Sequence, residues 1–476
     1  MDALAPHAKS NSPLFAKRVR VYPQRVKGRF RRLKWAVMAA TLAVYYLTPW
    51  IRWDRGIEAP HQAVLIDFPA RRFYFFFIEL WPQEIYYVTG LLILAAVALF
   101  LTTSLAGRVW CGYTCPQTVW TDLFMLVERW IEGDRNARMR LDKAGWSADK
   151  VVKKCGKHAA WLLIAVATGG AWVFYFADAP TLAGQLLRFE ASTTAYGFIA
   201  LFTFTTYALG GIAREQVCTY MCPWPRIQGA MLDEESLVVT YHPARGEPRG
   251  PHKQGQSWEG HGHCVDCNQC VAVCPTGIDI RNGQQLECIT CALCIDACDS
   301  VMDKVGLPRG LISYDTLANM DRRAKGEAPR LRLIRPRTLL YAAVIALVGA
   351  IMLYALATRE TLDLSALHDR NPLYVTLANG DVRNAYTIKL LNKQHEERHY
   401  QLTVEGLKGA SLDIVGVTHG TATLAVPADS LRSFRVLVTA PYDSTSGRSL
   451  PITFVATDMT DGATTREVST FQEPPR

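Results

Sequence analysis

Eight of the thirteen cysteines in this 476-residue chain fall between Cys264 and Cys298, in two runs of the form C-x2-C-x2-C-x3-C with thirteen residues between them. That spacing constrains the fold more than any other feature. Three closely spaced thiolates wrap one cubane iron–sulfur cluster, and the fourth cysteine of each run crosses to the other cluster. Cys264, Cys267, Cys270 and Cys298 are therefore assigned to one [4Fe–4S] cluster, and Cys288, Cys291, Cys294 and Cys274 to a second. Zinc sites use looser and more varied spacings, and disulfides do not need a tandem run of this regularity. Thiols kept free for iron imply a reducing compartment.

The chain is 49% hydrophobic and 20% charged, which allows membrane and soluble parts side by side. Five apolar runs, at 35–51, 85–105, 159–176, 194–212 and 338–357, approach the ~20 residues a helix needs to cross a bilayer. The first run is aromatic, lies far from the N-terminus and lacks a small-residue cleavage site, unlike a signal peptide. Lys and Arg number ten in 1–34, four in 52–81, ten in 107–157, one in 178–193 and fifteen in 214–337. The alternation places the first, third and fifth of these segments in the cytoplasm and the C-terminus outside. No recognition module accompanies the basic N-terminus, so nucleic acid is not an expected partner. The aromatic stretch at 71–81 reads as an interfacial belt before the second span, or alternatively as a docking surface for a quinone or a metal donor.

Beyond the fifth run, short alternating segments at 374–377, 385–391, 400–404, 422–426, 434–438 and 452–456 are punctuated by Asn379-Gly380, Glu405-Gly406 and Asp461-Gly462. About seven strands in ~100 residues predict an immunoglobulin-like sandwich without an inter-sheet disulfide. The expected fold is a five-helix transmembrane bundle with an inserted two-cluster bacterial-type ferredoxin domain and a C-terminal immunoglobulin-like β-sandwich. Its segments are a cytoplasmic N-terminus (1–34), helices one to four (35–222), a cytoplasmic region (223–337) with the ferredoxin at about 255–310, helix five (338–357) and a periplasmic sandwich (358–476).

Four more cysteines form a second pattern. Cys111-Gly-Tyr-Thr-Cys115-Pro116 follows the second apolar run, and Cys218-Thr-Tyr-Met-Cys222-Pro223 follows the fourth. Each C-x-Y-x-C-P closes a two-helix hairpin, so the pair is an internal repeat with a pseudo-two-fold axis along the membrane normal. Proline suits the first helical position and places cysteine at the N-cap, where thiolate character rises. Arg108 and Arg214 lie just upstream of the two pairs. Thiolates with a thioether such as Met221 favour Cu(I). The alternative is small hydrophobes at a helix break. Cys155 stands alone and reads as structural, and His261-Gly-His263 as part of a solvated loop.

With these features together, the chain resembles the CcoG/FixG/RdxA family of membrane-bound polyferredoxins over almost its whole length. The NapH and NosR type shares the spans, the C-x3-C-P pairs and the ferredoxin, but not this C-terminal sandwich. The resemblance implies a cupric reductase of the bacterial inner membrane, reducing Cu(II) to Cu(I) for assembly of the cbb-type cytochrome oxidase. Its partners would be an unidentified cytoplasmic electron donor and oxidase-assembly or copper-delivery proteins. On this reading the eight cysteines of the tandem runs bind the clusters, and Cys111, Cys115, Cys218 and Cys222 face copper, either as ligands or through a transient disulfide. Ligation is the favoured form, since four thiols can converge on one ion. A quinol dehydrogenase and a non-enzymatic copper-binding assembly factor are the alternatives. The second run ends Cys298-Asp299 where many ferredoxins have Cys-Pro.

Overall fold

The computed structural model describes residues 20–56, 59–252, 257–360, 362–416, 423–441 and 449–474. The first nineteen residues of the expected basic N-terminus lie outside them. The chain divides into two compact units, residues 1–51 with 62–352, and residues 52–61 with 353–476.

In the first unit, the helices Pro82–Ala106, Thr193–Ala213 and Pro336–Ala357 are long and apolar enough to cross a membrane. Leucines 92, 201 and 347 project from them uncovered, as expected of helices that are hydrophobic all round. The other two expected spans fall inside the helices Arg29–Leu47 and Ala148–Val173. Their leading turns carry Arg29, Arg31, Arg32 and Lys34, and Lys150, Lys153, Lys154 and Lys157. These charges shorten the apolar portion below what a full crossing asks of a helix on composition alone. Among the described residues, three helices rather than five meet that demand.

The aromatic stretch between the first two runs folds into a small antiparallel sheet of Val64–Asp67, Arg72–Phe75 and Ile78–Leu80. Tyr74 points into the protein, while Phe75, Phe76 and Phe77 point out.

The tandem cysteine runs are framed by the antiparallel strands Val238–Tyr241 and Ile312–Asp315 and by the helix Leu293–Lys304. Val239, Ile280, Ile295, Met302 and Leu311 fill the space between them. Without a proline after Cys298, this helix runs on for twelve residues. Its counterpart in the first run, Gln269–Ala272, stops just before Cys274-Pro275. Asp299 instead accepts a hydrogen bond from the Gly310 amide at 3.0 Å.

The N-terminal segment is a strap across this module, a role that charge counting did not suggest. The Gln24 amide bonds to the Ala272 carbonyl at 2.8 Å. The amides of Phe30 (3.2 Å) and Arg31 (2.7 Å) donate to the Asp296 carboxylate. Asp296 thereby caps the helix Arg29–Leu47, answering amides that its own turn leaves unpaired.

The second unit is a two-sheet sandwich. One sheet runs Ser411–Ile414, Ser430–Ala440, Val382–Asn392 and Leu362–His368, with the short Val375–Thr376 also on Val382–Asn392. The other runs Thr423–Val426, Arg398–Glu405, Ser449–Asp458 and Thr464–Gln472. Tyr386, Ile388, Leu390, Val436 and Val438 face Tyr400, Leu402, Phe454 and Phe471 across a dry core. All six expected segments are strands here. Leu362–His368, Ser411–Ile414 and Thr464–Gln472 were not foreseen. The last alternates its burial but shows Arg466, Glu467 and Ser469 in an otherwise polar run, so its apolar face is faint in sequence.

Candidate metal centres

The two tandem runs wrap in the same way, and a pair of strained residues in each shows it. Asp266 and Asn268 of the first run have φ of 50° and 55°, and Thr290 and Ala292, at the equivalent positions of the second, have 55° and 60°. Left-handed backbone costs a non-glycine residue about 1 kcal/mol or more. Its recurrence around Cys267 and Cys291 turns successive amides inward, as anion-binding backbone does. Arg281 fixes the first of these turns with bonds to Asp279 (2.7 Å), Asp266 (2.5 Å) and Asn268 (2.5 Å).

Two small, partly open cavities lie inside the wraps. One is walled by Cys264, Cys267, Cys270 and Cys298. The other is walled by Cys274, Cys288, Cys291 and Cys294, with Cys270 at its edge. Each cavity is thus walled by three cysteines of one run and the fourth of the other. Burial and then neighbouring sulfurs push the thiols up: Cys298 to about 12, with Cys270, Cys267 and Cys264 acting on it, and Cys294 well above its ordinary value, with Cys291, Cys288 and Cys274 acting on it. Sulfur clustered in a dry site, with protons that a cation would displace, fits a [4Fe–4S] cluster in each cavity.

The four C-x-Y-x-C-P cysteines occupy a third site. The Cys218 thiol is pushed up to about 12 by burial and then by Cys115, Cys111 and Cys222. Cys111 is pushed up by burial, against the pull of Arg108, with Cys115 and Cys222 adding to the rise. These mutual effects put all four sulfurs in one neighbourhood. Burial outweighs the electropositive setting expected from sequence at both of these thiols. Among the described residues no three cysteine sulfurs lie within 4.8 Å of one another. Cys115 is the N-cap of the helix Pro116–Glu132, as expected. In the second motif the helix starts one residue later, at Trp224, and Pro223 takes the cap.

This third site abuts the second cluster cavity. Cys111 packs with Ile289, Cys291 and Leu293. A Cβ on Gly112 would stand 2.7 Å from the Ile289 carbonyl oxygen, so only glycine permits this approach. Tyr113 donates to the Cys291 carbonyl at 3.2 Å. Buried Arg108 donates to the carbonyls of Leu286 and Cys288 (2.9 Å) and, at 3.3 Å, to the Gln228 side chain, whose Oε1 also lies 3.1 Å from the Cys111 sulfur.

Arg214 departs from the expected role beside the second pair. It forms a 2.7 Å ion pair with Glu128 and bonds to the Gly211 carbonyl, with φ at 46°. Glu128 is buried and also binds Arg138 at 2.7 Å, with Lys157 at 3.6 Å. Burial alone would raise its pKa. Arg214, Arg138 and Lys157 outweigh that and hold it at about 2. Asp122 pairs with Arg31 at 3.0 Å and is likewise held low by Lys34 and Arg31 against burial. Sequence reading passed over this network, although Asp122, Met125, Glu128 and Glu132 recur on one face of a single helix. Cys155 is exposed, unlike an ordinary structural cysteine. His263 accepts a hydrogen bond from Arg245 at 2.9 Å.

Paired cubane-ligand sets, apolar helices and a dry β-sandwich define a membrane-associated iron–sulfur electron-transfer protein. Residues 213–317 match the 4Fe-4S dicluster domain family, 88–134 match a 4Fe-4S binding domain family, and 352–474 match the IG-like fold at the C-terminus of FixG. The chain is 56% identical to the nitrogen fixation protein FixG of Rhizobium meliloti, covering 91% of this chain and 89% of FixG. It is 54% identical to protein RdxB (90% of each chain) and 51% identical to protein RdxA (91% of this chain, 92% of RdxA), both of Cereibacter sphaeroides. The chain belongs to the FixG/RdxA family.

Proposed function

We propose that the protein passes single electrons from a cytoplasmic donor to Cu(II) held at the C-x-Y-x-C-P cysteines, releasing Cu(I) for assembly of a cbb-type cytochrome oxidase. The carrying observation is the direct packing of Cys111, Gly112 and Tyr113 on the loop of Ile289 and Cys291. The two [4Fe–4S] clusters, when bound, supply one-electron transfer. Cys264, Cys267, Cys270 and Cys298 hold one, Cys274, Cys288, Cys291 and Cys294 hold the other, and Arg108 ties the second site to Cys111 through Gln228. Copper is the substrate. Cu(II) takes up one electron and leaves as Cu(I), a change that soft thiolates favour. Cys111 and Cys218 lose their protons as the ion arrives. The alternation of Lys and Arg supports five crossings of the inner membrane, with the ferredoxin in the cytoplasm and the sandwich in the periplasm.

The test is Cu(II) reduction by the full-length, reduced protein, followed with a Cu(I)-specific chelator. Cys111→Ala and Cys218→Ala are each expected to lower the rate by about 10²-fold or more, as loss of a direct ligand should exceed loss of its supporting groups. The cluster absorbance stays unchanged. Quinol-dependent cluster reduction that persists in these variants, without copper reduction in the wild type, would overturn the proposal in favour of a quinol dehydrogenase. The match of 88–134 to a 4Fe-4S binding family favours one second reading, a third cluster at these cysteines. Iron analysis separates the two: about eight atoms per chain for two clusters and about twelve for three.

A further inference from the structure

An open cavity of about 970 Å³ lies between the N-terminal strap and the helix Pro116–Glu132. Its charged lining is all of one sign: Arg25, Lys27, Arg31, Arg32 and Arg129, with no carboxylate. The remaining lining is mostly apolar, with Trp35, Leu126 and Trp130. Arg25, Lys27 and Arg32 are exposed, and among the described residues their side-chain cations have no ion-pair partner. Deeper in, Arg31 lies 4.4 Å over the Trp35 ring and uses one nitrogen for Asp122. Its Nη2 and the Nε of Arg129 are buried without a hydrogen-bond partner. Buried guanidinium donors are rarely left so, and each unanswered one is destabilising. Burial first, and then Arg31 and Arg138, draw the Arg129 pKa down to about 10 against the opposing pull of Asp122 and Asp134.

What fills such a site must bring several anionic oxygens and tolerate indole at the rim. The chain's own first nineteen residues do not qualify, since they carry Lys9, Lys17 and Arg18 against Asp2. The position is informative as well. Arg31 and Arg32 end where the apolar run of the first helix begins at Trp35, and Trp130 stands 88% exposed. Basic residues beside the start of an apolar helix, flanked by tryptophan, match the level of lipid headgroups.

We propose that this cavity is a binding site for an anionic phospholipid. Arg25, Lys27 and Arg32 meet the phosphate from outside, Arg31 and Arg129 add positive charge behind them, and Trp130 and Leu126 lie along the glycerol and upper acyl region. A diphosphate headgroup of the cardiolipin kind, carrying two charges, matches five cations better than a single phosphate.

The experiment is native mass spectrometry of the full-length protein in detergent, titrated separately with cardiolipin, phosphatidylglycerol, phosphatidylcholine and inorganic phosphate. The wild type is expected to bind one cardiolipin saturably, phosphatidylglycerol more weakly, and phosphatidylcholine least. The triple variant Arg25→Gln, Lys27→Gln, Arg32→Gln should lose roughly a hundredfold in cardiolipin affinity while keeping its iron, from about a fivefold loss per cation. Trp130→Ala, which leaves all five cations in place, should weaken binding a few-fold and keeps the test valid if the triple variant loses its iron. Equal binding of phosphatidylcholine, or unchanged cardiolipin affinity in both variants, overturns the proposal. Inorganic phosphate that displaces cardiolipin at equal affinity also overturns it, since the cavity would then be a site for the free ion.

Discussion

The two C-x-Y-x-C-P motifs share a sequence pattern but differ in their surroundings. In the first, Gly112 is pressed against the second cluster loop and Tyr113 is only 5% exposed, its hydroxyl on the Cys291 carbonyl. In the second, Thr219 replaces the glycine, Tyr220 is 74% exposed and Met221 62% exposed. The backbone leading into the second motif is wound in wide π-turns, Tyr207–Ala213 and Val217–Met221. Such turns are rare and concentrate at functional sites. A repeat that looks symmetric in sequence has therefore diverged in space. One half is locked to the electron-carrying module, and the other shows a tyrosine and a thioether at the protein surface. On the proposed function, the first half receives the electron and the second admits the ion.

Substitutions can break this comparison. The largest effect is expected at Glu128, which anchors Arg214 just ahead of the second motif. Glu128→Gln leaves Arg138 and Arg214 facing each other without their anion, while Lys157 keeps Glu132. It should cost about 3–5 kcal/mol in thermal or denaturant unfolding. The pH dependence follows from the depressed pKa. The contribution of Glu128 is fully present above its ordinary value of 4.5 and disappears as pH falls towards about 2. The stability gap between wild type and variant should therefore close across that window.

Next comes Gly112→Ala, whose methyl group meets backbone that cannot swing aside. A loss of about 1–3 kcal/mol is expected, as for other overpacked sites. On the proposed function, electron transfer from the second cluster to copper should also slow in single-turnover measurements. Thr219→Ala, at the matching position of the second motif, removes only the half-buried hydroxyl's bond to the Glu215 carbonyl and should cost about 0.5–1.5 kcal/mol without slowing that step. If the two behave alike, the asymmetry is wrong. The smallest effect is at the tyrosines. Tyr113→Phe removes one buried hydrogen bond and should cost about 0.5–1.5 kcal/mol, while Tyr220→Phe should be silent in the same unfolding measurement.

The divergence shows where sequence reading succeeds and where it stops. Spacing alone grouped the sulfurs that wall each of the two cavities, because covalent reach limits which sulfurs can meet. It also paired the two C-x-Y-x-C-P motifs. It did not distinguish them, because the difference lies in which carbonyl each backbone approaches, and Ile289 is far from Gly112 in the chain. Charge counting met a similar limit. Arg31, Lys34 and Lys157 were read as topology signals, yet they are buried, the first paired with Asp122 and the last with Glu132 at 3.0 Å. A Lys or Arg count does not register its partner. The sandwich was legible wherever alternation was strong and missed where a strand shows mostly polar residues, as at Thr464–Gln472.

The cap that Asp296 places on the first helix has a consequence for biogenesis. The amide of Arg31 and its acceptor are 265 residues apart. The opening turn of that helix is therefore synthesised long before the group that completes it. The completing group lies within the second cysteine run, two residues after Cys294 and two before Cys298. Whatever steadies that run, iron included, also steadies the helix start, and by the same linkage a well-docked helix favours a filled run. Chains with an empty second run are then expected to show weaker amide-exchange protection at Phe30 and Arg31 than loaded ones.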